Sequence, residues 1–486
     1  QGRRRSRGLC AAHPPDVGAA VSVAAAALAR VQASVRKRAA LLGQVGWISG
    51  SFAVQQILRL ASNIALAWLL APALLGTMLL INTLRTGGEL LSDVGIGQSV
   101  VHNRRGLEPV FLDTAWTIKI IRGLILFALA VAASGAIASL YEEPGLADYL
   151  PLAALIFVIT GLTSPARFVL QKRLEVKRLA LFDLLVSVAS VAIHIALALV
   201  TPTIWALIGG LLLSGLVSCL GSFFLAPGLR YRLRIERLAF REIVHFGKWI
   251  FFASLVYFLA MNFDRLYLAD AIPFAVLGIY GIARTFSDTV TEVFQRMGNL
   301  MIFPRVAAAE ERRGALRAKI SPLRRMVVAA SAAALAVGVC FADVFVQLAY
   351  DDRYLSAGIF LTILLVGTWF AILGQLADAM IMGVGKPASV ATSNLAKLVL
   401  IAGLLPFLLE RVGIVPALFG FVAGEAARYL VLVWRKRALG LGFMRQDAVA
   451  TVLFIALALL LREATGALGL TGGIDGWLAA ARAAHV

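Results

Sequence analysis

Charge is scarce in this chain. Only 15% of its 486 residues are Asp, Glu, Lys or Arg, against about a quarter in soluble domains. Acidic residues are the scarcer kind, 27 against 46 Lys and Arg, which leaves a net charge of +19. Cysteine is nearly absent. Cys10, Cys219 and Cys340 lie far apart, so they form neither a metal-ligand spacing nor a disulfide framework. Long polar stretches are missing too, which excludes a soluble catalytic domain. What remains is apolar: 60% of the residues are hydrophobic and the mean hydropathy is +0.86. No soluble fold of this size could bury so much apolar surface. The composition therefore predicts an all-α polytopic membrane protein and excludes a soluble enzyme, a secreted scaffold and a disordered tail protein.

A membrane helix needs about 20 mostly apolar residues. Such stretches lie at 44–69, 77–101, 113–140, 150–170, 180–200, 205–227, 248–269, 276–302, 325–349, 357–383, 389–409, 415–434 and 447–461, thirteen in all. A fourteenth, 464–481, carries Asp475 and five glycines and reads equally as a loose tail. Pro165 and Pro406 predict kinks in spans 4 and 11. The first 40 residues are basic, lack a starting Met and show no cleavage site. They read as a disordered or overextended cytoplasmic segment, or else as a basic helix lying on anionic lipid.

Most of the positive charge is topological. With the N-terminus inside, the inner segments hold 33 Lys and Arg, and the outer ones hold only Arg353, Arg411, Arg462 and Arg482. The outer loops are instead acidic, with Glu142, Glu143, Asp148, Asp351 and Asp352. This is the positive-inside pattern, and it removes the reason to invoke nucleic acid.

Two halves repeat. Trp47 and Ile48 match Trp249 and Ile250, and Leu75 and Gly76 match Leu277 and Gly278, both at an offset of 202. At an offset of 199, Arg85, Glu89 and Asp93 match Arg284, Asp288 and Glu292. An even number of spans separates the copies, so the repeat is parallel, about an axis along the membrane normal. The expected organisation is a basic extension (1–40), an N-lobe of six spans (41–227), a basic cytoplasmic linker (228–247) and a C-lobe of six spans (248–434). Residues 435–486 add span 13 and the doubtful span 14.

Nine cations fall within the spans: Arg59, Arg85, Lys119, Arg122, Arg265, Arg284, Arg296, Lys397 and Arg428. Charge at bilayer depth must face protein or water. Arg85, Glu89 and Asp93 share one helical stripe, and Arg284, Asp288, Glu292 and Arg296 share another. Two roles stay open for the cations that have a local carboxylate: internal braces, or the lining of a cleft. Arg59, Lys119 and Arg122 have no local carboxylate and read as ligand groups. The candidate substrate-binding cations are therefore Arg59, Arg85, Lys119, Arg122, Arg284 and Arg296. The candidate cavity acids, available to couple a proton or cation, are Glu89, Asp93, Asp264, Asp288 and Glu292. Lys397 and Arg428 read as snorkelling residues, and His194 as a packed or cavity-lining one. A cleft lined by arginines suits an anionic headgroup, because the guanidinium binds phosphate in a bidentate fork.

Four segments carry a family resemblance: VRKRAALLGQVGWISGSFAVQQILRLASNIALAWLLAPALLGTMLLI, ELLSDVGIGQSVVHNRR, RFVLQKRLEVKRLALFDLL and FGKWIFFASLVYFLAMNFDRLYLADAIPFAVLGIYGIAR. In order and spacing, over roughly residues 35–440, the chain resembles the polysaccharide-biosynthesis (Wzx/RfbX-type) flippases. These belong to the multidrug/oligosaccharidyl-lipid/polysaccharide exporter superfamily. The resemblance implies two six-helix lobes and alternating-access export of an undecaprenyl-pyrophosphate-linked oligosaccharide across a bacterial inner membrane. It implies no enzyme activity, cofactor or metal. Its partners would be the lipid-linked oligosaccharide, membrane lipids, a polysaccharide polymerase and a chain-length regulator. Relatives that flip peptidoglycan precursor use arginines in spans 1, 2 and 8, which correspond here to Arg59, Arg85 and Arg284.

Three other readings compete. A multidrug cation antiporter of the same superfamily would favour carboxylates and aromatics over the arginines of spans 1 to 3. A membrane glycosyltransferase or polymerase would need a large outer loop, which the sequence lacks. A non-transporting scaffold of a polysaccharide assembly complex would share this composition.

Overall fold

The computed structural model describes residues 47, 50–93, 95–229, 231–308 and 313–483. The basic segment expected at 1–40, the lead-in to the first span and Ile48 lie outside them. The described residues fold into helices without a strand. Apolar side chains drive each run into lipid, and backbone N–H and C=O groups there must bond within the segment, which the helix alone does locally.

The N-terminal half comprises α1 (Gly50–Leu69), α2 (Pro72–Leu91), α3 (Ile96–His102), α4 (Pro109–Leu140), α5 (Leu146–Leu162), α6 (Ala166–Lys172), α7 (Val176–Val200) and α8 (Ile204–Phe224). The C-terminal half comprises α9 (Arg237–Ala271), α10 (Phe274–Met297), α11 (Phe303–Ala307), α12 (Arg313–Ala349), α13 (Ser356–Gly383), α14 (Pro387–Val412), α15 (Ile414–Ala417) and α16 (Phe419–Ala438). Beyond it come α17 (Met444–Ala467) and α18 (Gly473–Ala483). Eight of the described helices are long and apolar enough to cross a membrane, or nine if α5 and α6 count as one bent span. Helices α2, α9, α10 and α14, each of 20 or more residues, are not among them and carry charged side chains within their length.

Several expected spans are not straight. Span 4 breaks between α5 and α6, which meet at a bend of 50°. Pro165 sits at the break as the first cap of α6, since its ring removes a helix hydrogen bond. Span 2 breaks as well, into α2 and α3. There Gly95 adopts φ +68° and its N–H donates to Asp93 Oδ1 at 3.0 Å, a left-handed turn that glycine accepts without strain. Helix α14, by contrast, runs unbroken through Pro406. The expected linker is half helical, because α9 already begins at Arg237. The fourteenth span is not one: α18 has 11 residues, about 16 Å of helix against about 30 Å of hydrocarbon. It packs back on α17, where Gly473 O accepts from Arg462 Nε at 2.9 Å.

The halves meet chiefly where α2 packs on α10 and α9. At the sparsely charged end the approach is backbone to backbone. A Cβ on Gly76 would stand 2.0 Å from Phe274 O, and one on Gly278 would stand 2.0 Å from Pro72 O. Each glycine thus lies against the carbonyl four residues before the other. Leu70 O accepts from Tyr354 Oη and Ala349 O accepts from Trp68 Nε1, each at 2.9 Å, which seals the same end. At the basic end, the backbone N–H groups of Arg232, Arg234 and Glu236 donate at 3.0–3.1 Å to Asp113, Thr117 and Thr114 of α4. Arg105 bridges Glu108 and Glu236 at 2.9 Å, and these contacts hold its guanidinium above its ordinary pKa.

Candidate functional site: a cavity between the halves

A cavity of about 720 Å³ lies between α1, α2, α5, α7 and α8 on one side and α10 on the other. It runs along α10 from Gly278 to Glu292, about 21 Å of helix axis. Its wall is largely apolar but carries Arg59, Arg85 and Glu292, together with Gln55, Gln56, Asn63, Asn82, Ser187, Ser190 and His194. Helix period explains this. Gln56, Arg59 and Asn63 stand at i, i+3 and i+7 on α1, Asn82 and Arg85 at i and i+3 on α2, and Ser187, Ser190 and His194 at i, i+3 and i+7 on α7.

Arg59 is held from the opposite half. Its guanidinium lies 3.3 Å from Glu292 and donates to Thr289 Oγ1 at 2.7 Å. Gln56 Nε2 donates to the same carboxylate at 2.8 Å. Both charged side chains are about two-fifths exposed, Arg59 41% and Glu292 43%, so this bridge contributes about 1 kcal/mol at most. Among the described residues Arg85 pairs along its own helix, with Glu89 at 2.9 Å. The Nε atoms of both arginines are buried without a hydrogen-bond partner among the described residues. His194 Nδ1 contacts Ser190 O at 2.8 Å.

The other candidate residues stand elsewhere. Lys119 donates to Thr163 O at 3.0 Å and also to Thr163 Oγ1, so it caps the broken end of α5, a favourable place for a cation. Arg122 lies 3.4 Å from Asp93, a partner from span 2 that local spacing did not reveal. Arg296 stacks over the Phe52 ring at 4.3 Å, and Phe52 belongs to the cavity wall. Arg284 is buried, 4% exposed, and touches Asp264 at 3.1 Å, Asp288 at 3.3 Å and the Phe421 ring at 4.3 Å. Asp264 also accepts from Tyr280, and Asp288 also pairs with Arg265. Neither Arg284 nor these two acids lines the cavity.

The reading of Lys397 and Arg428 as snorkelling residues is corrected. They are 0% and 2% exposed. Lys397 meets Glu425 at 2.5 Å, while Arg428 pairs with Asp378 and lies 3.7 Å from Glu425. Together with Arg265, Arg284, Asp264 and Asp288 they form a cluster of four cations and four acids inside the C-terminal half. Arg462, expected in an outer loop, is likewise buried and forms a two-pronged pair with Asp343 at 2.5 and 2.9 Å.

Sequence reasoning named the charged wall residues and His194 but passed over the uncharged polar ones. The signal was present: amide and hydroxyl side chains recurring at helical spacing within apolar spans.

Known proteins place the molecule. A family model described as "Polysaccharide biosynthesis protein" matches residues 65–359, more than half of the chain. The chain is 23% identical over 273 residues to the lipopolysaccharide biosynthesis protein WzxC of Escherichia coli, covering 55% of this chain and 54% of that one. It is 22% identical over 286 residues to the teichuronic acid biosynthesis protein TuaB of Bacillus subtilis, covering 57% and 58%. The match thus spans little more than half the length of either relative. The fold is similar to that of the lipid II flippase MurJ in an inward closed conformation. There the TM-score is 0.70 with 10% identity, over 87% of this chain and 99% of that one. An inward-facing multidrug resistance MATE family transporter of the MOP superfamily gives 0.58 with 17% identity, over 82% and 95%. The chain belongs to the polysaccharide biosynthesis protein family and is a multi-pass membrane protein.

Proposed function

We propose, from that membership, that the protein is a flippase. It moves an undecaprenyl-pyrophosphate-linked oligosaccharide across the bacterial inner membrane by alternating access, for surface polysaccharide synthesis. The observation that carries this reading is the placement of Arg59 and Arg85 on the wall of a cavity closed at the sparsely charged end by Gly76 and Gly278. Two guanidiniums on one cavity wall suit a pyrophosphate. The amide and hydroxyl side chains around them suit sugar hydroxyls. Glu292 pairs with Arg59 across the halves, so an incoming phosphate competes with it and loosens a bridge between the halves. If the basic end faces the cytoplasm, export of each negative charge is favoured by about 2.3 kcal/mol per 100 mV. A cation antiporter fits less well, because the wall carries two cations and one acid, and Arg59 already neutralises that acid.

The test is transport in proteoliposomes. With undecaprenyl-pyrophosphate-linked oligosaccharide as substrate, the double variant Arg59→Gln/Arg85→Gln should lose at least about tenfold in rate, one lost charge-assisted contact being enough for that. An unchanged rate would refute the reading.

A further inference from the structure

A second cavity, of about 210 Å³, lies between α2, α4 and α5. Its wall is apolar, with Ile81, Leu84, Leu126, Leu129 and Phe157 among its residues, and its one charged member is Arg85. Of its α4 lining, Leu129 is 59% exposed on the apolar flank of that helix. Gly88 keeps the slot open, since a Cβ there would already touch the Phe157 ring at 3.0 Å. Arg85 therefore borders both spaces, the polar cavity on one side and the slot on the other. Its Nε points at no acceptor among the described residues.

We propose that this slot holds the head-proximal part of the substrate's polyprenyl tail, with the pyrophosphate at Arg85 and the saccharide in the larger cavity. The proposal rests on the transport reading above. An amphiphile must keep its chain in apolar surroundings while its head crosses, since every methylene drawn into a polar cavity is unfavourable. The slot provides that continuity: a greasy channel open to lipid, ending at a cation, next to a chamber with hydrogen-bonding walls. The anionic group that joins tail to sugar is the complement of the one charge at the junction.

The experiment uses the full chain in nanodiscs and two probes, undecaprenyl phosphate and inorganic pyrophosphate. Ala130→Trp fills the slot from the α4 side. It should weaken undecaprenyl phosphate about tenfold while leaving pyrophosphate within about twofold. Leu129→Trp, at the exposed position on α4, should act in the same direction by a smaller factor and guards against misfolding of the first variant. Arg85→Gln should weaken both probes. Unchanged affinity of Ala130→Trp and Leu129→Trp for undecaprenyl phosphate, with Arg85→Gln still impaired, overturns the slot alone. Displacement of undecaprenyl phosphate by an equal concentration of phosphatidylglycerol overturns it in favour of ordinary lipid. No effect of Arg85→Gln on either probe removes the headgroup reading, and the slot with it.

Discussion

The same charge pattern has opposite fates in the two halves. In the N-terminal half, Arg85 and Glu89 pair locally beside an open cavity, and Asp93 goes to Arg122. In the C-terminal half, Arg284 and Asp288 are drawn into a cluster with Asp264, Arg265, Lys397, Glu425, Arg428 and Asp378. The surroundings differ accordingly. The most apolar stretch of the span ending at Gly383 is 89% buried, whereas that of α7 is 6% buried. One half is a packed block in which most of these charges pair among themselves, with Glu292 alone of the repeated trio reaching across to Arg59, and the other is a looser wall whose Arg59 and Arg85 border the cavity. We infer a division of labour in which the C-terminal half supplies rigidity and the N-terminal half supplies the binding surface.

The largest expected effect is in the packed half. Glu425→Gln leaves Lys397 and Arg428 without their shared carboxylate, and removing one partner of a buried ion pair costs about 3–5 kcal/mol. Thermal melting followed by size-exclusion chromatography should show a large loss of folded protein. The matching substitution in the open half, Arg59→Gln, should cost no more than about 1 kcal/mol in the same assay. Equal losses would dissolve the contrast.

An intermediate effect is expected at the junction. A side chain at Gly76 cannot coexist with Phe274 O in the closed arrangement. Gly76→Val should therefore part the halves at the sparsely charged end, read as a longer distance between spin labels on Leu348 and Leu140. Both positions are exposed. Glu292→Gln should free Arg59 and tighten inorganic pyrophosphate by about threefold, about 0.7 kcal/mol, as seen by calorimetry. The smallest effect concerns Asp351, outside the spans. Its bond from Arg353 holds its carboxyl below the usual range. Its stabilising contribution is present above the ordinary carboxylate pKa and fades as pH falls through the lowered value. A slight drop in melting temperature in acid, absent in Asp351→Asn, would show it.

Much of the fold was legible because a membrane span announces itself by a long apolar run. The break at Pro165 was legible too, since proline leaves a donor missing. The break after α2 was not, because it depends on Gly95 and Asp93 in a turn that hydropathy does not register. Charge partners divide by distance along the chain. Arg85 with Glu89 and Arg284 with Asp288 follow from the helical period. Arg59 with Glu292, 233 positions apart, and Lys397 with Glu425 require the packed bundle. The error on Lys397 and Arg428 has the same origin, since position near a span end says nothing about which face a residue presents. In the candidate site, Arg59, Arg85 and Glu292 were named from sequence, while the slot beside Arg85 depends on how α2, α4 and α5 leave a gap.

The most direct test of the central claim removes the two cavity cations of the N-terminal half and follows one ligand. Wild-type protein and the Arg59→Gln/Arg85→Gln variant, each checked for an unchanged melting temperature, are titrated with undecaprenyl-pyrophosphate-linked oligosaccharide. The account predicts an affinity loss of at least about tenfold in the variant. Undiminished affinity in a fully folded variant would contradict it.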